Sequence, residues 1–161
     1  MLYAEPFFRG VSWGMDPDQV EVTELSEAQF TVDEKSKLDH LNYEVQVFEE
    51  EHLLQYTFSK KKLNKITLVW LASERQFRRR ERPLQLANQV FDQWKEKLEA
   101  QFGMGLSRGS ESYKHIEWKT SSEVVTLSSF NIGRLPLLKL RMENLARPLE
   151  NQKQEENNRS D

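Results

Sequence analysis

The chain contains no cysteine, which excludes disulfides, thiolate metal sites and cysteine nucleophiles together. No apolar run approaches the roughly 20 residues that a membrane-spanning helix needs. Glycine and proline are sparse, six and five residues in 161, so the few that occur mark turns and element ends. Hydrophobic residues make up only 37% of the chain and charged residues 30%, which leaves little apolar surface beyond one core. The nine Phe, four Trp and four Tyr must therefore carry much of the burial, because each covers a large area. Met1–Pro6 has neither a basic n-region nor a long apolar h-region, so it does not read as a secretory signal. A chain cut behind a leader would start in the same way, and cytoplasm is the expected compartment.

What is present begins with Phe8-Arg9-Gly10-Val11-Ser12-Trp13-Gly14-Met15-Asp16-Pro17-Asp18-Gln19-Val20, an aromatic-glycine turn running into a marked helix start. Asp16 can accept from the amide of Gln19, and Pro17 occupies the first helical position, where its missing N–H costs nothing. Gln19 completes an acid-x-x-Gln pattern close to a capping box. Trp13 and Gly14 belong to the same structural motif, and Trp13 reads as a staple over the helix start in preference to an exposed interface anchor. The predicted helix covers about 17–25, followed by a polar connection over 26–39.

Three runs with a period of two come next. Leu41, Tyr43, Val45 and Val47 alternate with Asn42, Glu44 and Gln46, Leu54, Tyr56 and Phe58 with Gln55 and Thr57, and Ile66, Leu68 and Trp70 with Thr67 and Val69. Glu49-Glu50-Glu51 and Lys60-Lys61-Lys62 separate them at hairpin lengths, which predicts an antiparallel meander. From Pro83 to Phe102 the period lengthens. Leu84, Ala87, Val90, Phe91, Trp94, Leu98 and Phe102 fall on one side of a helical wheel, with Gly103 just past the end. Residues 106–112 read as a Gly/Ser loop. The two-residue period then returns at Ile116/Trp118, Val125/Leu127 and Leu138/Leu140/Met142.

The expected fold is α+β: an antiparallel sheet of about six strands, in the order helix, three strands, helix, three strands, with both helices on its apolar face. One domain should cover residues 1–147, with two halves of similar plan at 13–71 and 83–145. Residues 148–161 are too polar to offset their ordering and read as a flexible tail. On the solvated face of the sheet this phasing places Asn42, Glu44, Gln46, Gln55, Thr57, Thr67, Glu117, Lys119, Thr126, Ser128, Lys139 and Arg141, residues that suit either a wet surface or a binding face.

Gly14-x-Asp16-x-x-Gln19-Val20, preceded by Phe8-Arg9-Gly10 and Trp13, resembles the helix start of uncharacterised bacterial proteins with an FRG-x-x-W-G opening. Leu41-x-Tyr43, and Tyr56-x-Phe58 followed by Lys62-Leu63, occur there in the same order. More distantly, helix-then-meander halves resemble the small α+β fold of β-lactamase-inhibitor proteins and the SmpA/OmlA outer-membrane assembly lipoproteins. The resemblance implies a non-enzymatic protein-binding scaffold.

Candidate chemistry is sparse. His40, His52 and His115 are far apart, with no i, i+4 spacing, and read as scattered side chains in preference to zinc ligands. There is no Gly-x-Ser-x-Gly elbow, and Gly103-Met104-Gly105 follows a helix where a phosphate loop would open one. No catalytic set, cofactor or metal site is expected. The sharpest feature is the basic run Arg75, Arg78, Arg79, Arg80 and Arg82 with Phe77 among them. It could grip phosphates with a ring to stack on, or serve as a solvated linker. Two functions follow: a protein-interaction module of unknown partner, or a phosphate- or nucleic-acid-binding accessory that uses residues 75–82.

The net charge of −3 hides a strong segregation. Residues 1–59 carry 3 basic and 13 acidic side chains, residues 60–82 carry 9 and 2, and residues 83–161 carry 11 of each. Exposed ion pairs contribute only about 0–1 kcal/mol. The fold therefore gains little by bringing the two signs together, and the separated arrangement is expected.

Overall fold

The computed structural model describes residues 9–24, 30–31, 40–71, 83–110, 113–132 and 135–145. Helix α1 spans Pro17–Glu24. Strands β1 (Phe30–Thr31), β2 (His40–Val47), β3 (Glu50–Ser59) and β4 (Lys62–Leu71) follow, then helix α2 (Pro83–Phe102). Strands β5 (Leu106–Ser110), β6 (Tyr113–Lys119), β7 (Glu123–Ile132) and β8 (Leu135–Asn144) complete the order. Among the described residues, eight strands form one antiparallel sheet in the order β1-β2-β3-β4-β8-β7-β6-β5. Each group of four lies in chain order, and the groups meet where β4 pairs with β8, Leu68 opposite Leu140.

Alternation explains which face is dry. Leu54, Tyr56 and Phe58 of β3, Ile66, Leu68 and Trp70 of β4, and Leu138, Leu140 and Met142 of β8 are all buried on the same side. Val125, Leu127, Ile116 and Trp118 extend this surface across β7 and β6. Helix α2 lies over it and contacts β7 and β8. The helix buries Ala87, Val90, Phe91, Trp94 and Leu98, the stripe that a 3.6-residue period places on one side. Each such aliphatic or aromatic side chain stabilises the fold by about 1.5–3 kcal/mol on full burial. Helix α1 adds the buried Val20.

Large aromatic rings bring polar atoms inside, and the indoles show where these go. Trp13 Nε1–H donates to Glu123 Oε2 at 3.1 Å and Trp70 Nε1–H to Glu50 Oε2 at 3.3 Å. Trp94 Nε1–H donates to His52 Nε2 at 3.3 Å and Trp118 Nε1–H to the Gly103 carbonyl at 2.9 Å. All four indole donors are satisfied, so the rings add burial without an orphaned N–H.

Two strands exceed the expected six. The 26–39 stretch contains the two-residue strand β1, paired with β2 through Phe30–Asn42. The 106–112 stretch contains β5, so its reading as a loop is corrected. All five β5 residues are exposed, so no alternation betrays the strand; backbone pairing with β6 makes it. Gly109 (φ +117°) is required there, since a Cβ would stand 2.0 Å from the Tyr113 carbonyl oxygen. Residues 146–161 lie outside the described residues, and with them the expected tail.

The hairpins between β2 and β3 and between β3 and β4 turn on two residues each. Phe48 and Glu49 (φ 52° and 64°), then Lys60 and Lys61 (φ 51° and 61°), all lie in the left-handed region, as a type I′ turn requires. The turns sit at opposite ends of the ten-residue β3, about 30 Å apart at the usual strand rise. Glu49–Glu51 and Lys60–Lys62 are thereby kept well apart.

Candidate interaction surface

The pairing registers fix what the face opposite the helices carries. One row runs Gln55, Thr67, Arg141, Thr126, Glu117 from β3 to β6, wholly polar. Two residues along the strands, the next row runs Leu53, Val69, Lys139, Ser128, His115, Arg108. The row beyond it sets Leu71 against Leu137 and Leu137 against Phe130, with Tyr113 following on β6. Ile132 and Leu135 close the β7–β8 hairpin at this end. From β3 to β6 this part of the outer face therefore passes from a polar row to an apolar one, and the exposed Leu106 of β5 follows Glu117 at the edge of the polar row.

These apolar side chains are open to solvent. Leu53 is 45% exposed, Leu71 48%, Ile132 57% and Tyr113 44%, and Val69, Phe130 and Leu137 are half-buried. The Tyr113 ring stacks on His115 at 6.1 Å, nearly parallel. His115 Nδ1 in turn shares a hydrogen bond with Ser128 Oγ at 2.8 Å, which fixes the aromatic rim. Apolar side chains gathered in this way at one end of a sheet face leave surface that a partner could cover.

A strict period-two reading assigns one phase of each strand to the core and expects polar residues in the other. It misses Leu53, Val69, Leu71, Phe130, Ile132 and Leu137. The signal was available in Leu53-Leu54, Leu68-Val69-Trp70-Leu71 and Leu137-Leu138, where apolar residues occupy both phases. Two expected outer residues, Asn42 and Thr57, are buried. Gln55 Nε2–H donates to Asn42 Oδ1 at 3.0 Å, and Thr57 Oγ1 lies 3.1 Å from His40 Nδ1.

On the helix side, Phe91, Asp92 and Lys95 of α2 and Ser107, Gly109 and Lys114 of β5 and β6 line an open groove of about 340 Å³. Lys114 Nζ donates to Asn88 Oδ1 at 3.2 Å and sits over the Phe91 ring at 5.3 Å. At the other end of the core, the Glu24 side chain is 2% exposed and receives Arg9 Nη2–H at 2.8 Å. It also accepts the hydroxyl of the buried Tyr56. Burial, reinforced by Glu24, pushes the Tyr56 phenol well above its usual range. Burial, then Glu21 and Glu24, pushes neighbouring Tyr43 up to about 12. The Tyr43 hydroxyl has no hydrogen-bond partner among the described residues. This cluster ties α1 and the preceding loop to the sheet.

The helix-start motif is assembled locally. Gln19 N–H donates to Asp16 Oδ1 at 2.8 Å, and Asp16 N–H to Gln19 Oε1 at 3.0 Å, a reciprocal cap. Pro17 opens α1. Gly14 (φ +87°) donates to the Leu63 carbonyl at 3.1 Å, and Leu63 N–H donates to the Met15 carbonyl at 2.8 Å. The turn thus continues the pairing of β4 beyond the end of β8. Trp13 is half-buried against the core. These residues organise the fold and lie away from the apolar row.

Arg75, Phe77, Arg78, Arg79, Arg80 and Arg82 lie outside the described residues, between the end of β4 and the start of α2. The three histidines stand apart: His40 beside Thr57, His52 inside the core, His115 on the outer face. Among the described residues no group of three or more His, Asp or Glu could hold a metal ion, and no helix is long and apolar enough to cross a membrane. No family model, curated protein or solved structure matches this chain.

Proposed function

We propose that this protein is a non-catalytic interaction module that receives a protein surface on the apolar end of its outer sheet face. The observation that carries the reading is the row Leu71–Leu137–Phe130, with Leu53, Val69 and Tyr113 beside it, which gathers apolar side chains at one end of the outer face. Covering such side chains releases water at about 25 cal/mol per Å² of apolar surface, a gain the isolated chain forgoes. The polar groups with unusual surroundings, Glu24, Tyr56 and His52, are occupied in holding helices to the sheet, which fits a scaffold. The scaffold role implied by the FRG-x-x-W-G resemblance agrees with this reading.

The test is affinity capture from native cell extract with the wild-type chain and with Leu71→Ser/Leu137→Ser, both shown folded by circular dichroism. A protein retained by the wild type and lost by the variant supports the reading. Equal retention by both overturns it. Capture of nucleic acid alone, abolished by Arg78→Gln/Arg79→Gln/Arg80→Gln and by salt, also overturns it and favours the 75–82 alternative.

A further inference from the structure

We infer that the surface received on this face is that of a second copy of the chain, packed sheet to sheet about a two-fold axis parallel to the strands. The inference rests on the docking reading above and adds its occupant. Charge is distributed unevenly around the apolar row. On the β2–β3 flank stand Glu44, opposite Leu53, and Glu51, two residues before it. On the other flank Arg108 lies opposite His115 on the edge strand β5, while Lys139 stands inside the row on β8, between Val69 and Ser128. Glu51 and Arg108 are both exposed. The apolar row thus has an acidic side and a basic side.

An axis running across the strands would set acid over acid. An axis along the strands, between β7 and β8, exchanges the two sides and superposes the apolar row on itself. Strand β8 then lies over β7 of the second copy, β4 over β6 and β3 over β5. Leu137 meets Phe130, Leu71 meets Tyr113, and Glu51 comes within reach of Arg108, with the offset of about 30° usual for aligned sheets. The same contacts form twice, as an isologous interface requires. From β4 to β6 the row spans three strand spacings, about 14 Å, and with its neighbours about 13 Å along the strands. This is well below the roughly 800 Å² per partner of a standard interface. The charged flanks must therefore contribute, and dissociation should fall near the micromolar range.

The experiment is sedimentation velocity from about 1 to 200 μM, a range that brackets micromolar dissociation, at low and at high salt. The wild type should shift from monomer to dimer with concentration and weaken as salt screens the flanks. Leu137→Glu should sediment as a folded monomer. Glu51→Arg and Arg108→Glu should each weaken dimerisation about tenfold, and the two together should restore it, the coupling expected of a direct charge pair. The charge pair keeps the inference testable if Leu137→Glu fails to fold. A wild type that stays monomeric at every concentration overturns the inference, as does a dimer insensitive to these substitutions. A monomer that still captures another protein through Leu71 and Leu137 overturns only the second-copy inference, whereas a monomer that captures nothing removes the docking reading as well.

Discussion

Lowering the pH should destabilise the fold through His52, and the size of the effect follows from its surroundings. His52 is 2% exposed on the core side of β3. Its Nδ1–H donates to the Glu50 carbonyl at 2.9 Å, and its Nε2 accepts the indole N–H of Trp94 at 3.3 Å. Only the neutral ring satisfies both contacts; a protonated Nε2 would point a hydrogen at the indole donor. Burial accordingly holds the imidazole below its usual value of 6.5, against the raising influence of the Glu50 backbone and carboxylate. Below 6.5 the unfolded chain therefore binds a proton that the folded chain refuses. The stability this confers is fully present above 6.5 and is lost as the pH falls toward the folded value, by up to about 1.4 kcal/mol per pH unit. Urea denaturation between about pH 5 and 8, an interval that spans the free imidazole value, should be run on the wild type and on His52→Gln. Glutamine keeps an acceptor for Trp94 and does not titrate. The wild type should lose stability relative to the variant as the pH falls through 6.5. Parallel curves would refute the assignment of a neutral, buried His52.

Trp94→Ala removes the centre of the α2 stripe and the donor to His52, and should cost about 3–5 kcal/mol; a calorimetric loss under about 1 kcal/mol would contradict its burial. Tyr56→Phe deletes a hydrogen-bonding partner of the buried Glu24 carboxylate and should cost about 1–3 kcal/mol, read from the urea midpoint. Lys61→Gly relieves a left-handed backbone position (φ 61°) and should raise stability by about 1 kcal/mol; a lowered melting temperature would count against the type I′ turn.

Much of the fold was legible because its signals are local. The exchange between Asp16 and Gln19 needs only a three-residue spacing, and α2 needs only the period of Ala87, Val90, Phe91, Trp94 and Leu98. Strand β5 was not legible, since its exposed residues form a strand through backbone pairing with β6, which has no side-chain pattern. The outer apolar row was hidden for a different reason. Its members come from β3, β4, β6, β7 and β8 and become neighbours only through the β4–β8 pairing, which joins segments about 70 residues apart. Runs such as Leu68-Val69-Trp70-Leu71 hint at burial on both phases, but only the register shows that the second phases coincide.

An interaction module of this kind has the apolar end of its outer face covered in the working protein. The most direct measurement places a photo-crosslinking amino acid at Leu137 or, as a control two rows away on the same face, at Thr126, and irradiates the protein in its native cells. A discrete protein adduct at position 137 with little or none at 126 is the predicted result. Irradiation that gives no adduct at 137, or equal adducts at both positions, would contradict the account.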